Sequence, residues 1–199
     1  AMTWAPITDE QFSRGDIISA VEKKGVTPPP LFIGYTSDEF IDNGINTIEL
    51  GIRKLVKAEE KRGLKGKNYV YKFDVPIPGW DNPGKFHSVD LWFFFETLAK
   101  CWRPFTGVHY DISRKMCNYM CNFIKTGNPN DNGLNSGLSP RAGVSYPPSK
   151  EENLKRYEES QEKLPEWKAF SSEEPNCMFF DTDCTLHSFD AEGEIKKYI

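Results

Sequence analysis

Apolar and polar positions change rhythm several times along the chain, and each change predicts an element. Leu31-Phe32-Ile33-Gly34-Tyr35-Thr36 is a short apolar run released by Pro28-Pro29-Pro30, where missing amide protons forbid a helix interior or central strand. Its length and its polar exit at Ser37-Asp38-Glu39 read as a buried parallel strand. From Asn43 onward Ile45, Ile48, Ile52 and Leu55 recur at helical spacing, with Lys54, Lys57, Glu59, Glu60, Lys61 and Arg62 outward until Gly63. That is one amphipathic helix, and its interleaved charges are a solvated face. Tyr69 to Val75 alternates aromatic or branched residues with polar ones until Pro76, Pro78 and Gly79, a second strand. Asp90 to Leu98 is apolar on nearly every side and predicts a helix buried all round, capped by Ser88. Asp111 opens another helix, striped by Ile112, Met116, Met120 and Ile124 and closed at Thr126-Gly127.

The remaining segments organise the chain around these elements. Residues 1–30, with turn signals at Gly15 and Gly25, read as a connecting arm with room for one short helix, and 31–199 as a single domain. Residues 128–150, rich in Asn, Gly, Ser and Pro, predict a long polar loop, and the charged stretch 151–164 a frayed helix. Leu164-Pro165-Glu166-Trp167 returns to the core through its tryptophan, and Cys177 to Phe180 begins a last apolar strand paired with Thr185 to Phe189. Strands alternating with helices predict an α/β fold with a short, mostly parallel sheet.

Composition narrows the partners. A hydrophobic share of 38% is enough for a real core in 199 residues, and a net charge of −4 argues against nucleic acid. No apolar run approaches the ~20 residues a bilayer requires, so no membrane partner is expected. Five cysteines, an odd number without the spacing of a secreted scaffold, fit a reducing compartment, and cytoplasm is the expectation. Ala1 ahead of Met2 reads as a cloning remnant, with Met2 as the initiator of a complete product.

Candidate chemistry centres on Gly84-Lys85-Phe86-His87-Ser88-Val89-Asp90-Leu91, where a histidine stands between a turn and an apolar run. Glu39 and His87 both follow strands, the mounting an imidazole needs if a carboxylate is to orient it before it takes a proton. The same spacing also suits an ordinary cap acid and a loop histidine. His109, read in a turn, and His187, read in a late strand, lack that mounting. Cys117 and Cys121 share a helix face and Cys184 stands three residues before His187, a spacing zinc sites use, but cysteines on an apolar stripe act as small hydrophobes. No metal and no cofactor is expected, since no Gly-rich phosphate loop occurs. A G-x-S-x-G nucleophile elbow is missing too: Gly143-Val144-Ser145-Tyr146-Pro147 falls one residue short and Gly133-Leu134-Asn135-Ser136-Gly137 misplaces its serine.

Five pieces in order carry a resemblance: Pro30 to Glu39; Tyr69 to Phe73; Gly84 to Leu91; Asp111 to Asn130, ending Lys125-Thr126-Gly127-Asn128-Pro129-Asn130; and Leu164-Pro165-Glu166-Trp167 with Met178-Phe179-Phe180. Together they resemble the C-terminal part of type-B carboxylesterases, the family of para-nitrobenzyl esterases and cholinesterases within the α/β-hydrolase fold. The resemblance implies a partial α/β-hydrolase domain lacking the nucleophile-bearing half, with Glu39 as triad acid and His87 as triad histidine. It implies hydrolysis of a carboxylic ester through a Ser-His-Glu triad, with the chain inactive alone. The acid and histidine are 48 positions apart, closer than is usual for the family, which implies an open pocket. The implied partners are a small-molecule ester and either an N-terminal esterase half or a second copy paired at the edge strand Leu31 to Tyr35. The alternative is a non-catalytic domain that self-associates through that edge.

Overall fold

Leu31–Thr36 forms strand β1, and its alternating side chains feed two different cores. Phe32 points into one, while Leu31 and Ile33 pack into the other side of the sheet. The computed structural model describes residues 9, 11–12, 15–42, 45–65, 67–131 and 164–188. The predicted polar loop and charged helix lie from residue 132 to 163 outside the described residues, as do both serine motifs.

Around β1 the elements run in order α1 (Ile17–Lys24), β1, β2 (Ile41–Asp42), β3 (Ile45–Asn46), α2 (Thr47–Lys61), β4 (Asn68–Phe73), α3 (Asp90–Phe94), a 3-10 turn (Leu98–Lys100), α4 (Gly107–Thr126), β5 (Asn176–Phe180) and β6 (Cys184–Ser188). The main sheet has strand order β1-β4-β5-β6, with β1, β4 and β5 parallel and β6 antiparallel to β5. β2 and β3 form a separate two-stranded hairpin. The result is an α/β fold with a mostly parallel sheet covered on both faces.

One face holds an aromatic core. Phe32, Tyr69, Tyr71, Phe73, Met178 and Phe180 meet Phe93, Phe94, Met116, Tyr119 and Trp167 there. Trp167 is fully buried and lies 4.9 Å from the Phe32 ring and 5.1 Å from that of Tyr119. The Lys125 to Asn130 motif fixes it: Asn130 Oδ1 accepts from Trp167 N at 2.7 Å and Asn130 Nδ2 donates to Trp167 O at 2.8 Å. On the other face α2 presents Ile52 and Val56 to Val70 and Cys177, and α1 packs Val21 against Leu55 and Ala58.

Several elements depart from the sequence expectations. Ile45 belongs to β3, and α2 begins only after Asn46, whose Oδ1 accepts from Ile48 N and Glu49 N. The second strand ends at Phe73, two residues short of Val75. The predicted helix from Asp90 to Leu98 is five residues long, and Phe95 and Glu96 turn the chain before the 3-10 turn. It is not buried all round, since Leu91 and Phe95 are exposed, and Ser88 does not cap it: φ is +69° there and the cap position is Val89. α4 starts four residues before Asp111, and Ile124 is exposed, outside the buried stripe of Ile112, Met116 and Tyr119.

Candidate functional site

Parallel strands end together, so loops that follow β1 and β4 meet at the carboxyl edge of the sheet. Glu39 closes a turn after β1. Its Oε1 accepts from Thr36 N at 2.7 Å, its backbone carbonyl accepts from Asn46 Nδ2 at 2.7 Å, and only 8% of the residue is exposed. His87 arrives on the long loop between β4 and α3. Asp38 ties that loop down: its Oδ2 accepts from Lys85 N at 2.7 Å, and its own amide donates to Lys85 O at 3.3 Å. Gly84 makes the approach possible, because its φ is +68° and a Cβ there would stand 2.6 Å from Asp38 Oδ2.

These constraints bring Glu39 and His87 together, Glu39 Oε2 against His87 Nδ1. A carboxylate only accepts, so Nδ1 donates the proton of this bond. The histidine side chain is 68% exposed against 7% for the glutamate side chain, and among the described residues nothing hydrogen-bonds Nε2. The ring of Phe40 stands edge-on to the imidazole at 4.9 Å. Phe40 and Ile41 beyond Glu39, and Leu91 and Phe95 beyond His87, are all exposed. Both members of the pair are followed at once by a non-glycine residue in the left-handed region, Phe40 at +49° and Ser88 at +69°.

A second acid lies beneath the pair. Asp90 is buried and accepts a hydrogen bond from Tyr71 Oη at 2.7 Å. Burial pushes its carboxyl above the usual range, the tyrosine bond opposes that, and the charge of Glu39 raises it further. Burial, with Asp90 beside it, also pushes the Tyr71 phenol up. Sequence reasoning missed this pair and the Asp38 clamp. The available signals were Asp90 three residues after His87, and Gly84 two before Phe86.

The other candidates occupy structural positions. His109 is not in a turn but in the first turn of α4, where Nδ1 accepts from Thr106 N at 3.0 Å and Nε2 donates to Pro76 O at 3.1 Å. His187 on β6 stacks against Phe179 at 4.4 Å and lies 2.8 Å from Thr185 Oγ1. Cys117 and Cys121 bring their sulfurs to 3.9 Å on α4. Cys184 is buried, and burial pushes its thiol up to about 12. Among the described residues no three His, Cys, Asp or Glu side chains converge as a metal site, and no helix is long and apolar enough to cross a membrane.

A sequence profile of the carboxylesterase family matches residues 44–196, well over half of the chain. The chain belongs to the carboxylesterase family. The matched span includes His87 and begins five residues after Glu39. No curated protein matches this carboxylesterase-family chain. Among solved structures it is similar to a carboxylesterase of Geobacillus stearothermophilus at pH 6.8, with 18% identity and a TM-score of 0.59 over 98% of this chain and 44% of that one. An esterase from the anaerobe Clostridium hathewayi, described as able to hydrolyse aliphatic aromatic polyesters, matches at 16% identity and TM-score 0.49, over 91% of this chain and 27% of that one. A PNB esterase matches at 18% and 0.44, over 72% and 23%. The chain thus spans less than half the length of these structures. At such identity the Geobacillus likeness fixes the fold, an α/β-hydrolase fold represented in part.

Proposed function

We propose that this chain supplies the acid and histidine of a carboxylesterase site whose serine lies on another segment. Glu39 holds the imidazole tautomer. His87 Nε2 takes the proton of the serine hydroxyl as its oxygen attacks the ester carbonyl, and returns it to the departing alcohol. The observation that carries this reading is the Glu39 to His87 pairing at the carboxyl edge of a parallel sheet, with Nε2 unengaged among the described residues. Family membership supports the reaction class. The substrate is a small ester, and the exposed apolar residues around the pair supply surface for its acyl or alcohol group or for the serine-bearing segment. Without oxyanion donors a loss of ~10²–10³ in rate is expected for each one missing, so the chain alone turns over no ester.

A second reading is a non-catalytic domain that associates with a second copy through β1. The outer position of β1 in the sheet favours it. Both readings meet in one experiment. The purified chain and His87→Ala are assayed on short-chain aryl esters, alone and mixed with a separately expressed serine-bearing part of a related carboxylesterase, and sized in solution. The expected result is turnover only in the mixture, lost in His87→Ala. Turnover by the chain alone that disappears in His87→Ala would mean it uses a serine of its own and would end the divided-site reading. No turnover in either, with a discrete dimer, would favour self-association.

A further inference from the structure

Phe40 holds a backbone conformation that an aromatic residue adopts only at a cost. Its φ is +49°, in the left-handed region where Cβ crowds the carbonyl that follows, and a bulky side chain there is an outlier. Burial in a core does not offset that cost, because Phe40 is half-exposed and joins none of the three apolar clusters.

The conformation is imposed from both sides. Asn46 Nδ2 donates to Glu39 O at 2.7 Å, Thr47 N donates to Phe40 O at 2.9 Å, and Ile41 then enters the β2 to β3 hairpin opposite Asn46. A residue held so firmly in a sparsely populated region points to a task for its side chain.

That side chain meets the histidine. The Phe40 ring centroid lies 4.9 Å from that of the His87 imidazole, with 73° between the two planes. The bond from Nδ1 to Glu39 Oε2 fixes one atom of the imidazole, and about that bond the ring can still swing. The histidine side chain is 68% exposed, which leaves room for the swing. A phenyl ring set nearly perpendicular to the imidazole blocks it on one side.

We propose that Phe40 is a positioning residue for His87: its ring fixes the plane of the imidazole, and the left-handed backbone at Phe40 is what brings the ring there. The task this orientation serves, proton transfer at Nε2, rests on the divided-site reading above; the contact and its backbone cost do not.

The test compares the wild-type chain with Phe40→Tyr, Phe40→Ala and Phe40→Gly, each carrying isotope-labelled histidine, with His87→Ala to assign the His87 resonances. The order parameter of the His87 Cε1–H bond should stay near the rigid value of about 0.85 in wild type and Phe40→Tyr, and fall below about 0.6 in Phe40→Ala and Phe40→Gly. Urea unfolding separates the ring from the backbone, since Phe40→Ala keeps the left-handed strain and Phe40→Gly removes it. Phe40→Gly should have an unfolding constant about three- to fivefold smaller than Phe40→Ala, after the entropy that glycine adds to the unfolded chain. Mixed with the serine-bearing part, Phe40→Ala and Phe40→Gly should lose about tenfold to a hundredfold in kcat with KM little changed, and Phe40→Tyr should recover most of that loss. An imidazole equally ordered in a folded Phe40→Gly, a Phe40→Tyr as loose as Phe40→Ala, or a Phe40→Gly no more stable than Phe40→Ala would overturn the proposal, as would an unchanged kcat in an active mixture. A wild-type mixture without turnover counts against the divided site alone, because order parameters and unfolding are read on the isolated chain.

Discussion

At the scale of single residues, the two buried acids Glu39 and Asp90 are held in different ways. Glu39 is buried yet supplied with a backbone donor, Thr36 N, on one oxygen and the imidazole on the other, so its charge is hydrogen-bonded on both sides. Asp90 has the Tyr71 hydroxyl and a second negative charge nearby, and its carboxyl is pushed up. A raised folded value makes the folded state bind protons more tightly than the unfolded one. Asp90 therefore contributes stability that is fully present below the ordinary carboxylate value of about 4 and is lost as pH rises through its folded value. Asn at this position keeps an acceptor for Tyr71 and removes the titration. Urea unfolding of wild type and Asp90→Asn from pH 4 to 8 should show the wild type favoured most at the acidic end, with the difference shrinking or reversing toward neutrality. Glu59, also raised, is common to both proteins and cancels in the difference. A difference independent of pH would remove Asp90 as the titrating group. Beside these acids the backbone is strained: left-handed Phe40 and Ser88 each cost about 1–2 kcal/mol relative to an ordinary conformation, and both adjoin the pair.

At the scale of elements, β1 and β4 approach each other closely because Gly34 has no side chain. A Cβ there would stand 2.4 Å from both Tyr71 Cγ and Tyr71 O. Its absence lets the Tyr71 ring lie over β1 and extend its hydroxyl to Asp90, so one glycine links strand pairing to the acid beneath the site. Gly34→Ala should destabilise the chain by about 1–3 kcal/mol despite the entropy alanine saves in the unfolded state, because main chain as well as ring must shift. The midpoint of urea unfolding measures it, and an unchanged or higher midpoint would contradict the packing described. The same strands explain what could be read in advance. β1 and β4 announce themselves by apolar runs bounded by proline and polar residues, and α2 by its stripe, because both patterns arise from burial of one local face. Glu39 was legible as a strand-end residue for that reason, and His87 as a residue of the loop that follows β4. α3 was misread because a continuous apolar run has no period: it does not reveal that Leu91 and Phe95 stay exposed. α4 was placed late because its start uses His109 to accept from Thr106 N, where a capping box ordinarily carries Glu or Gln. The Asp38 to Lys85 clamp joins residues 47 positions apart and leaves no trace in any local window.

For the whole molecule the decisive feature is the side of β1 that pairs with no strand among the described residues. Leu31 N donates to Lys67 O at 3.2 Å and Ser37 N to Phe73 O at 2.9 Å, so the odd-numbered amides of the strand face β4. The even-numbered ones face away. Thr36 N is taken by Glu39 Oε1, which leaves Phe32 N and Gly34 N along the outer edge. Edge protection by Glu39 at one end thus coincides with the position of the proposed acid, so pairing along β1 must accommodate the turn that holds His87. Amide hydrogen exchange distinguishes the states. In the isolated chain Ile33 and Tyr35 amides should be protected, and those of Phe32 and Gly34 should exchange faster by at least about tenfold. When a serine-bearing segment or a second copy adds a strand, the Phe32 and Gly34 amides should slow toward the rates of their neighbours. If they stay fast while an active mixture forms, the serine arrives over the exposed apolar residues around Phe40 and Leu91 rather than along the strand. Edge pairing and catalysis would then be separate properties of the fold.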